Sequence, residues 1–286
     1  MADIEATYKS LIQCANERKW EDLAKYMNSH FTKDGQDSTL ESYATYMKST
    51  GNFKANIDSI TVDRHSQRLG ATVLVDFKFS KANDEGTKSA GRTISFLEQQ
   101  IIWFVEGKVA KVFIVADRDE MHRHISDPSV TFTPDLIREY KLPSATSGIK
   151  LSASKLEDTY RTYIRCINAQ TMETDLRNFC HSQVVHNTKT LTEEGYRLLI
   201  QEAFTAIPDI TFDLHTVIAD EEAQRVAARI EFTGKPVGML MGAKPNGRAV
   251  NFCEHVTYQF MDGKIARVWS IVDWPSYRAQ LQPDQQ

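Results

Sequence analysis

The stretch GRAVNFCEHVTYQFMDGKIARVWSIVD, residues 247–273, repeats the outline of GRTISFLEQQIIWFVEGKVAKVFIVAD, residues 91–117. In the later copy two apolar runs flank the pair Asp262-Gly263, and both copies end in an aspartate. An Asp-Gly pair between alternating apolar residues is typical of a two-residue β-hairpin turn. The sequence therefore predicts that the same closing hairpin of a sheet occurs twice in one chain.

The repeat extends to the beginning of each copy. IEATYKSLIQCAN, residues 4–16, matches LEDTYRTYIRCIN, residues 156–168. The stretch between the copies contains three prolines and many small polar residues, a composition typical of a linker. Two copies are too few for a solenoid. We therefore expect a domain at residues 1–125, a linker at 126–153 and a second domain at 154–286.

Each copy begins with helical patterns and continues with strands. In the second copy, apolar residues recur at helical spacing in residues 156–167 and 196–204. Strand-like segments follow at 211–219, 223–233, 249–260 and 265–272. Helices followed by hairpin-linked strands predict an α+β domain, in which an antiparallel sheet wraps around a helical layer.

Composition narrows the class of protein. The chain has 286 residues, a formal net charge of −4 and a pI of about 6.1. Lysine and arginine are scattered along it, which argues against nucleic acid as a partner. The sequence has no run of about 18 apolar residues and no apolar leader core, so we expect a soluble, cytoplasmic protein without a membrane partner. The four cysteines lack metal-ligand spacing, and we expect no metal site.

Three stretches of the second copy carry a family resemblance. They are FTAIPDI at residues 204–210, VAARIEFTGKPVGMLMGAKPNGRAVNF at 226–252 and DGKIARVWSIVDWPSYRAQL at 262–281. They contain a Pro-Asp turn, a glycine-rich stretch and a hairpin that leads to Trp-x-x-x-Asp. Together they resemble the SnoaL-like polyketide cyclases of the nuclear-transport-factor-two-like superfamily. The first copy keeps the hairpin and its aspartate but lacks the Pro-Asp turn and the glycine-rich stretch.

The resemblance implies two tandem cone-shaped α+β barrels, each a curved antiparallel sheet wrapped on helices around an apolar pocket. Family members work without metal or organic cofactor and use an acid/base side chain inside the pocket. They are commonly dimers, so the two copies are expected to pack as an intramolecular pseudo-dimer, either monomeric or as a homodimer. The implied partner is a small apolar substrate.

The resemblance makes Asp273 the first catalytic candidate. It follows Trp269 by four residues on one strand, so an inward-facing Trp269 would bring Asp273 to the concave side of the sheet. A carboxylate among apolar groups loses hydration, which raises its pKa toward the range of a general acid or base. The alternative is a structural aspartate that caps a turn or pairs with Arg278.

Two histidines are the other catalytic candidates. His186, next to Asn187, stands where the family often places a polar pocket residue, and a neutral imidazole could take a proton or orient a carbonyl. It could equally be a loop histidine in water. Glu254 and His255 are adjacent on one strand, so only one of them can enter the pocket. Because Glu98 repeats Glu254 in the first copy, which suggests an architectural role, we expect His255 in the pocket.

A flexible apolar lid is predicted at residues 234–248, where methionines could adapt to a ligand. The alternative is a loop that packs against the neighbouring copy. Its counterpart, residues 80–92, is polar throughout, so no apolar lid is expected in the first copy. The side chains expected to contact substrate are Trp269, Tyr258, Gln259, Asn187, Met239 and Met241.

The first copy is predicted to be degenerate. Asp117 is the candidate for a second pocket, but Phe113 stands in place of Trp269, and the region of Gly35 and Gln36 in place of His186. We therefore expect the second domain to hold the working pocket. Two dissimilar pockets are the alternative.

These expectations combine in one hypothesis: a cofactor-independent cyclase or isomerase. It would act by acid/base catalysis on an apolar, carbonyl-bearing intermediate of polyketide or related natural-product biosynthesis. One alternative is an epoxide hydrolase or dehydratase on the same fold, in which a carboxylate activates water. The other is a non-catalytic ligand-binding or dimerisation module.

Overall fold

The structure of the protein is a computed structural model, which describes residues 2–78, 91–127, 129–130, 132–140 and 148–282. It divides into two compact units, Met1–Glu139 and Tyr140–Gln286, and the division falls within the predicted linker. Parts of that linker, residues 128, 131 and 141–147, and most of the polar counterpart of the lid, residues 80–90, lie outside the described residues. The pseudo-dimer stays a prediction.

The first unit begins with helix α1 (Ile4–Asn16) and a 3-10 turn at Trp20–Lys25. The short strands β1 (Met27–Lys33) and β2 (Gln36–Thr39) lead into helix α2 (Leu40–Ser49). The long strands are β3 (Asn52–Asp63), β4 (Arg68–Lys78), β5 (Thr93–Val105) and β6 (Lys108–Ala116). The unit continues with α3 (Arg118–Ser126) and a 3-10 turn at Ile137–Glu139.

The second unit repeats this order. It begins with α4 (Ala153–Asn168), α5 (Met172–Asp175) and a 3-10 turn at Leu176–Asn178. The short strands β7 (Cys180–His186) and β8 (Lys189–Thr192) precede α6 (Glu193–Ala206). The long strands are β9 (Thr211–Asp220), β10 (Arg225–Gly234), β11 (Val250–Met261) and β12 (Lys264–Val272), and α7 (Trp274–Leu281) follows them.

Each unit contains a six-stranded sheet, in the orders β2-β1-β6-β5-β4-β3 and β8-β7-β12-β11-β10-β9. The long strands are antiparallel, but β1 runs parallel to β6 and β7 parallel to β12. The predicted α+β fold in two tandem units is confirmed, and the four long strands of each sheet are antiparallel as predicted. The parallel pairing at one edge makes each sheet mixed. The sequence does not reveal β7 and β8 because they are short, with little apolar alternation.

The repeated closing hairpin is confirmed in both units. Asp262 and Gly263 connect β11 to β12 with φ angles of 49° and 79°. Glu106 and Gly107 connect β5 to β6 with φ angles of 52° and 76°. Two consecutive positive φ angles define the type I′ turn, whose twist matches that of the flanking strands, and glycine accepts such angles without strain.

Helices α4 and α6 cover one face of the second sheet. Tyr160 and Tyr163 of α4 and Tyr196 of α6 join the same buried cluster as the side chains of β11 and β12 that face them. We call the space between these helices and the sheet the interior of the second unit. Helices α1 and α2 cover one face of the first sheet in the same way. We call the space between these two helices and the first sheet the interior of the first unit. Among the helices described, none combines the length and the apolar character needed to cross a bilayer.

Candidate active site in the second unit

The alternation of β11 determines which of its side chains face the interior. The side chains of this strand that join the core beneath the helices are Val250, Phe252, Val256, Tyr258 and Phe260. Because successive residues of a strand point to opposite faces, Glu254 shares the interior face with them. His255 lies on the opposite face. The prediction that His255 enters the pocket is therefore wrong, and the inward residue is Glu254.

Glu254 is a half-buried carboxylate surrounded by tyrosines. It accepts a hydrogen bond from the Ser270 hydroxyl through one oxygen, and its other oxygen makes no hydrogen bond to any described residue. Burial raises the pKa of Glu254 to about 7, and the bond from Ser270 offsets only part of that effect. Near neutral pH both protonation states of Glu254 are therefore populated, as a group that takes and returns a proton requires.

Four tyrosines form the apolar walls around Glu254. The hydroxyls of Tyr163 and Tyr196 are hydrogen-bonded at 2.8 Å, and the rings of Tyr160 and Tyr258 lie 4.9 Å apart. The Tyr160 hydroxyl is fully buried beside Tyr258, yet it makes no hydrogen bond of good geometry to a described residue. Burial raises the pKa of all four hydroxyls well above the usual value for tyrosine, so they stay neutral.

His186 also faces the interior. It is the last residue of β7 and pairs in register with Val268, which belongs to the buried core. Its ring lies 5.9 Å from that of Tyr196, and it makes no hydrogen bond to another described residue. Burial lowers the pKa of His186 to about 4, so the imidazole is neutral at physiological pH. A neutral imidazole offers a ligand one hydrogen-bond donor and one acceptor.

The exposure of the inward side chains shows where this interior opens. Val184 and Val268, on β7 and β12, are at most 1% exposed. His186 and Ser270, two residues further along the same strands, are partly accessible, as is Glu254 on β11. The interior is therefore accessible at the end of the sheet where β7 and β12 finish, and the polar inward residues lie at that opening.

Asn187 positions Ser270 in this arrangement. Its side-chain amide donates to the carbonyl of Ser270 at 3.1 Å and accepts from the Ser270 N–H at 2.8 Å. Asn187 holds a φ angle of 49°, which asparagine tolerates better than most residues. The amide therefore positions Ser270, and the contact predicted between Asn187 and substrate stays a prediction.

Trp269 faces away from the interior. It pairs with Thr257, which lies on the opposite face of β11 from Glu254. Its ring contacts Tyr140 at a centroid distance of 5.7 Å, and the guanidinium of Arg267 lies 4.6 Å from its centre. The prediction that Trp269 faces the interior, contacts substrate and places Asp273 on the same side is therefore wrong. Both faces of this sheet are buried, so the apolar character of Trp269 alone did not show which face it belongs to.

The two strand-end aspartates cap helices. Asp273 is the N-cap of α7, and its two carboxylate oxygens accept from the backbone N–H and the hydroxyl of Ser276 at 3.3 and 2.6 Å. Asp117 caps α3 by accepting from the N–H of Glu120 at 3.1 Å. The repeated aspartates thus satisfy orphan N–H groups at the start of each terminal helix. This geometry fits the structural alternative better than the catalytic role expected for Asp273 or the second pocket expected at Asp117.

His255 and Gln259 belong to the same face as Trp269. His255 is fully buried, and its Nε2 accepts a hydrogen bond from Arg229 at 3.1 Å, because a guanidinium can only donate. The Gln259 amide donates to the carbonyl of Ala223 at 2.9 Å and accepts from Arg225 at 2.7 Å. The predicted contact between Gln259 and substrate is therefore wrong, because Gln259 lies on the face of β11 that points away from the interior.

The predicted lid, residues 234–248, is hydrogen-bonded to the end of α6 and exposes two methionines. Its N–H groups at Val237 and Gly238 donate to the carbonyl of Ala206 at the end of α6. Leu240 is buried in the core, whereas Met239 and Met241 are 66% and 46% exposed. The two methionines therefore face solvent in this structure, and their contact with substrate stays a prediction.

The first unit shows which residues correspond to His186 and Asn187. Lys33, the last residue of β1, pairs with Val112 as His186 pairs with Val268. The next residue, Asp34, accepts from the N–H of Ile114 at 2.8 Å, in the same way that Asn187 accepts from Ser270. The counterparts are thus Lys33 and Asp34, and the expectation that placed them at Gly35 and Gln36 is wrong.

Sequence reasoning passed over Glu254 although a signal for it exists. The even-numbered residues of β11 are apolar or aromatic except Glu254, which is the single charged residue of that series. A carboxylate on the apolar face of a strand is expensive to bury, so it marks a candidate site more strongly than the polar face does.

The family model that matches this chain covers the second unit. The family model described as SnoaL-like polyketide cyclase matches residues 157–281. A SnoaL-like polyketide cyclase from Agrobacterium tumefaciens is 37% identical, and the match covers 44% of this chain and 98% of that one, with a TM-score of 0.42. No curated protein matches the chain.

Two further solved structures are similar at lower identity. AclR, a proposed hydroxylase from Streptomyces galilaeus, is 20% identical over 46% of this chain and 89% of its own, with a TM-score of 0.41. IdmH, a proposed polyketide cyclase from Streptomyces antibioticus, is 22% identical over 44% and 97%, with a TM-score of 0.39. Since the Agrobacterium protein is matched over nearly its full length at 37% identity, the chain belongs to the SnoaL-like polyketide cyclase family.

Proposed function

We propose that the second unit is a cofactor-independent cyclase or isomerase, which moves a proton on an apolar, carbonyl-bearing intermediate of natural-product biosynthesis. The observation that carries the proposal is the inward carboxylate of Glu254, which has a pKa of about 7, with one oxygen held by Ser270 and the other without a hydrogen bond to a described residue. Such a group is suited to remove a proton next to a carbonyl and return it elsewhere, which can contribute about 10²–10⁴-fold to a rate.

His186 is the proposed electrophilic partner. Its imidazole is neutral and, apart from a bond with its own backbone, makes no hydrogen bond to a described residue. Its N–H would leave that backbone contact to donate to the carbonyl oxygen on which negative charge develops. The tyrosine rings would exclude water and restrict the conformers of a flexible substrate before ring closure, which lowers the entropic cost of reaching the reactive geometry. Asp273 is the competing proton carrier, although both of its oxygens are already engaged in capping α7.

The test uses a probe that does not depend on knowing the natural substrate. The protein is incubated with beta-tetralone, an apolar bicyclic ketone, in deuterium oxide, and NMR follows exchange of the hydrogens next to the carbonyl. The wild-type chain should accelerate exchange, and Glu254→Gln should reduce that acceleration by about 10²-fold or more. Glu222→Gln, which changes an exposed carboxylate, is the matched control and should exchange like wild type.

Each outcome distinguishes the candidates. Exchange that survives Glu254→Gln but is lost in Asp273→Asn would make Asp273 the proton carrier. Binding of the ketone without any exchange by the wild-type chain would favour a ligand-binding module over an enzyme.

A further inference from the structure

The interior of the first unit contains its own set of inward polar groups. Glu98 occupies on β5 the place that Glu254 occupies on β11, since it pairs with Ala116 at the end of β6 as Glu254 pairs with Val272 at the end of β12. Gln100, two residues further, shares the face of Glu98. These residues lie in the half of the chain that the family model does not match.

A chain of hydrogen bonds fixes one side of Glu98. The hydroxyl of Tyr8 donates to the Gln100 carbonyl oxygen at 2.9 Å, and the Gln100 amide donates to Glu98 Oε2 at 3.2 Å. In the second unit an apolar residue, Val256, stands in place of Gln100, and the hydroxyl of Tyr160 is left without such a partner. The first unit therefore has a polar network of its own, built from a residue that the second unit lacks, which is not what decay of an unused site would produce.

The other side of Glu98 has hydrogen-bonding capacity that no described residue uses. Glu98 Oε1 makes no hydrogen bond to a described residue, and neither does the hydroxyl of Tyr43 on α2. Tyr43 is held with its ring edge-on to Phe31 at 5.5 Å, inside the apolar cluster. Lys33 faces the same interior, where its ammonium pairs with Asp34 at 2.7 Å and keeps further N–H groups.

These groups have complementary requirements. Glu98 can only accept a hydrogen bond when ionised, whereas Tyr43 and Lys33 have N–H or O–H groups to donate. A hydroxyl oxygen placed among them would donate to the carboxylate and accept from the other two. Burial raises the pKa of Glu98, and the hydrogen bond from Gln100 and the positive charge of Lys33 each offset part of that rise. The Lys33 ammonium is therefore close enough to Glu98 to interact electrostatically with its carboxylate. The walls are apolar and include the buried Phe31 and the partly buried Ile114.

We propose that the interior of the first unit is a separate binding site for an apolar phenol or enol, whose hydroxyl donates to Glu98 and accepts from Tyr43 and Lys33. It differs from the site of the second unit in that the Lys33 ammonium, which is paired with Asp34, stands where that site has the neutral His186. The first unit therefore offers a charged donor to a ligand oxygen, whereas the second offers a neutral one.

The experiment uses para-nitrophenol, at a pH below the phenol's own pKa so that its hydroxyl keeps its proton, and the full-length chain with Glu254→Gln, so that the proton-transfer group of the second unit is absent from the start. Isothermal titration calorimetry of this parent should show binding. Lys33→Met and Tyr43→Phe, each added to the parent, should weaken binding about tenfold or more, as expected for loss of a hydrogen bond to a charged or acidic oxygen.

Lys48→Met is the matched control, because it removes the same charge from an exposed position of α2 and should leave affinity unchanged. Absence of binding by the parent would overturn the proposal, as would undiminished affinity in both the Lys33 and the Tyr43 variants. Since the readout is binding to a chain that already lacks Glu254, its result is independent of whether the second unit is catalytic.

Discussion

The hydroxyl of Ser270 on β12 donates a hydrogen bond to the carboxylate of Glu254 on the neighbouring strand β11. Ser270 is itself held at both backbone atoms by the side chain of Asn187. A turn residue after β7 therefore positions the donor that acts on the carboxylate. Because hydrogen bonds to a carboxylate stabilise its charged form, the bond from Ser270 limits how far burial raises the pKa of Glu254.

Replacing Ser270 with alanine should raise the pKa of Glu254 further. The substitution removes a bond that favours the ionised carboxylate and leaves the burial that opposes it. NMR titration of carbon-labelled glutamate side chains can measure this pKa without a substrate. Ser182→Ala, which removes an exposed hydroxyl from β7, is the control and should leave the titration of Glu254 unchanged. A lower pKa in Ser270→Ala would contradict the assigned effect of the hydrogen bond.

Glu254 should make the protein less stable as the pH rises. Its folded pKa of about 7 lies above the reference value of 4.5, so its favourable contribution is complete below pH 4.5 and is lost as the pH rises through 7. Each unit of difference corresponds to about 1.4 kcal/mol, so the loss is at most roughly 3.5 kcal/mol. Glu254→Gln should remove it, so that urea denaturation of the variant shows less loss of unfolding free energy over this range. An identical slope for both proteins would count against a buried carboxyl.

His186 should have the opposite dependence on pH. Its folded pKa of about 4 lies below the reference value of 6.5, so its contribution is complete above pH 6.5 and is lost as the pH falls toward 4. Replacing His186 with glutamine should therefore flatten the acid side of the stability profile, by an amount on the order of 2–3 kcal/mol. His65→Gln, at an exposed position of the first unit, should leave the acid side as it is in wild type.

The fold follows from the sequence to a large extent because the repeated elements are local. The type I′ turn at Asp262 and Gly263 and the four long strands are specified by residues close together in the chain. The pairing of β7 with β12 is a contact between residues about 80 positions apart, such as His186 and Val268, and its parallel direction has no local signature. For that reason the edge hairpin and the mixed character of the sheet could not be predicted.

The site was less predictable because both faces of the sheet are buried. His255, Thr257 and Gln259 are each at most 4% exposed although they are polar, and Trp269 is 3% exposed on that same face. Because both faces are buried, burial alone does not tell inside from outside, and the faces differ only in which of them is mostly apolar. On β11 the apolar alternation includes Glu254 and leaves His255 on the more polar face, whereas on β12 the buried Trp269 obscures that distinction.

His255→Ala should separate stability from function. The imidazole is fully buried and accepts from Arg229, so its removal leaves a half-desolvated guanidinium short of an acceptor, at a cost of about 1–3 kcal/mol. Because His255 faces away from Glu254, the variant should exchange beta-tetralone hydrogens at the wild-type rate wherever it is folded. Urea denaturation and the exchange assay on the same sample check both parts. Loss of exchange in a fully folded His255→Ala would place that imidazole in the reaction after all.

Asp273 should behave as a helix cap. Asparagine keeps an oxygen that can accept from the N–H of Ser276, whereas alanine does not, so Asp273→Asn should be nearly as stable as wild type and Asp273→Ala less stable by about 1 kcal/mol. Asp117→Ala should show a similar loss at α3, because its carboxylate caps that helix in the same way. Thermal denaturation of the three variants measures the ranking. If Asp273→Asn folds with wild-type stability but loses exchange activity, its carboxylate has a chemical role beyond the cap, and Glu254 would then have to share the proton transfer with it.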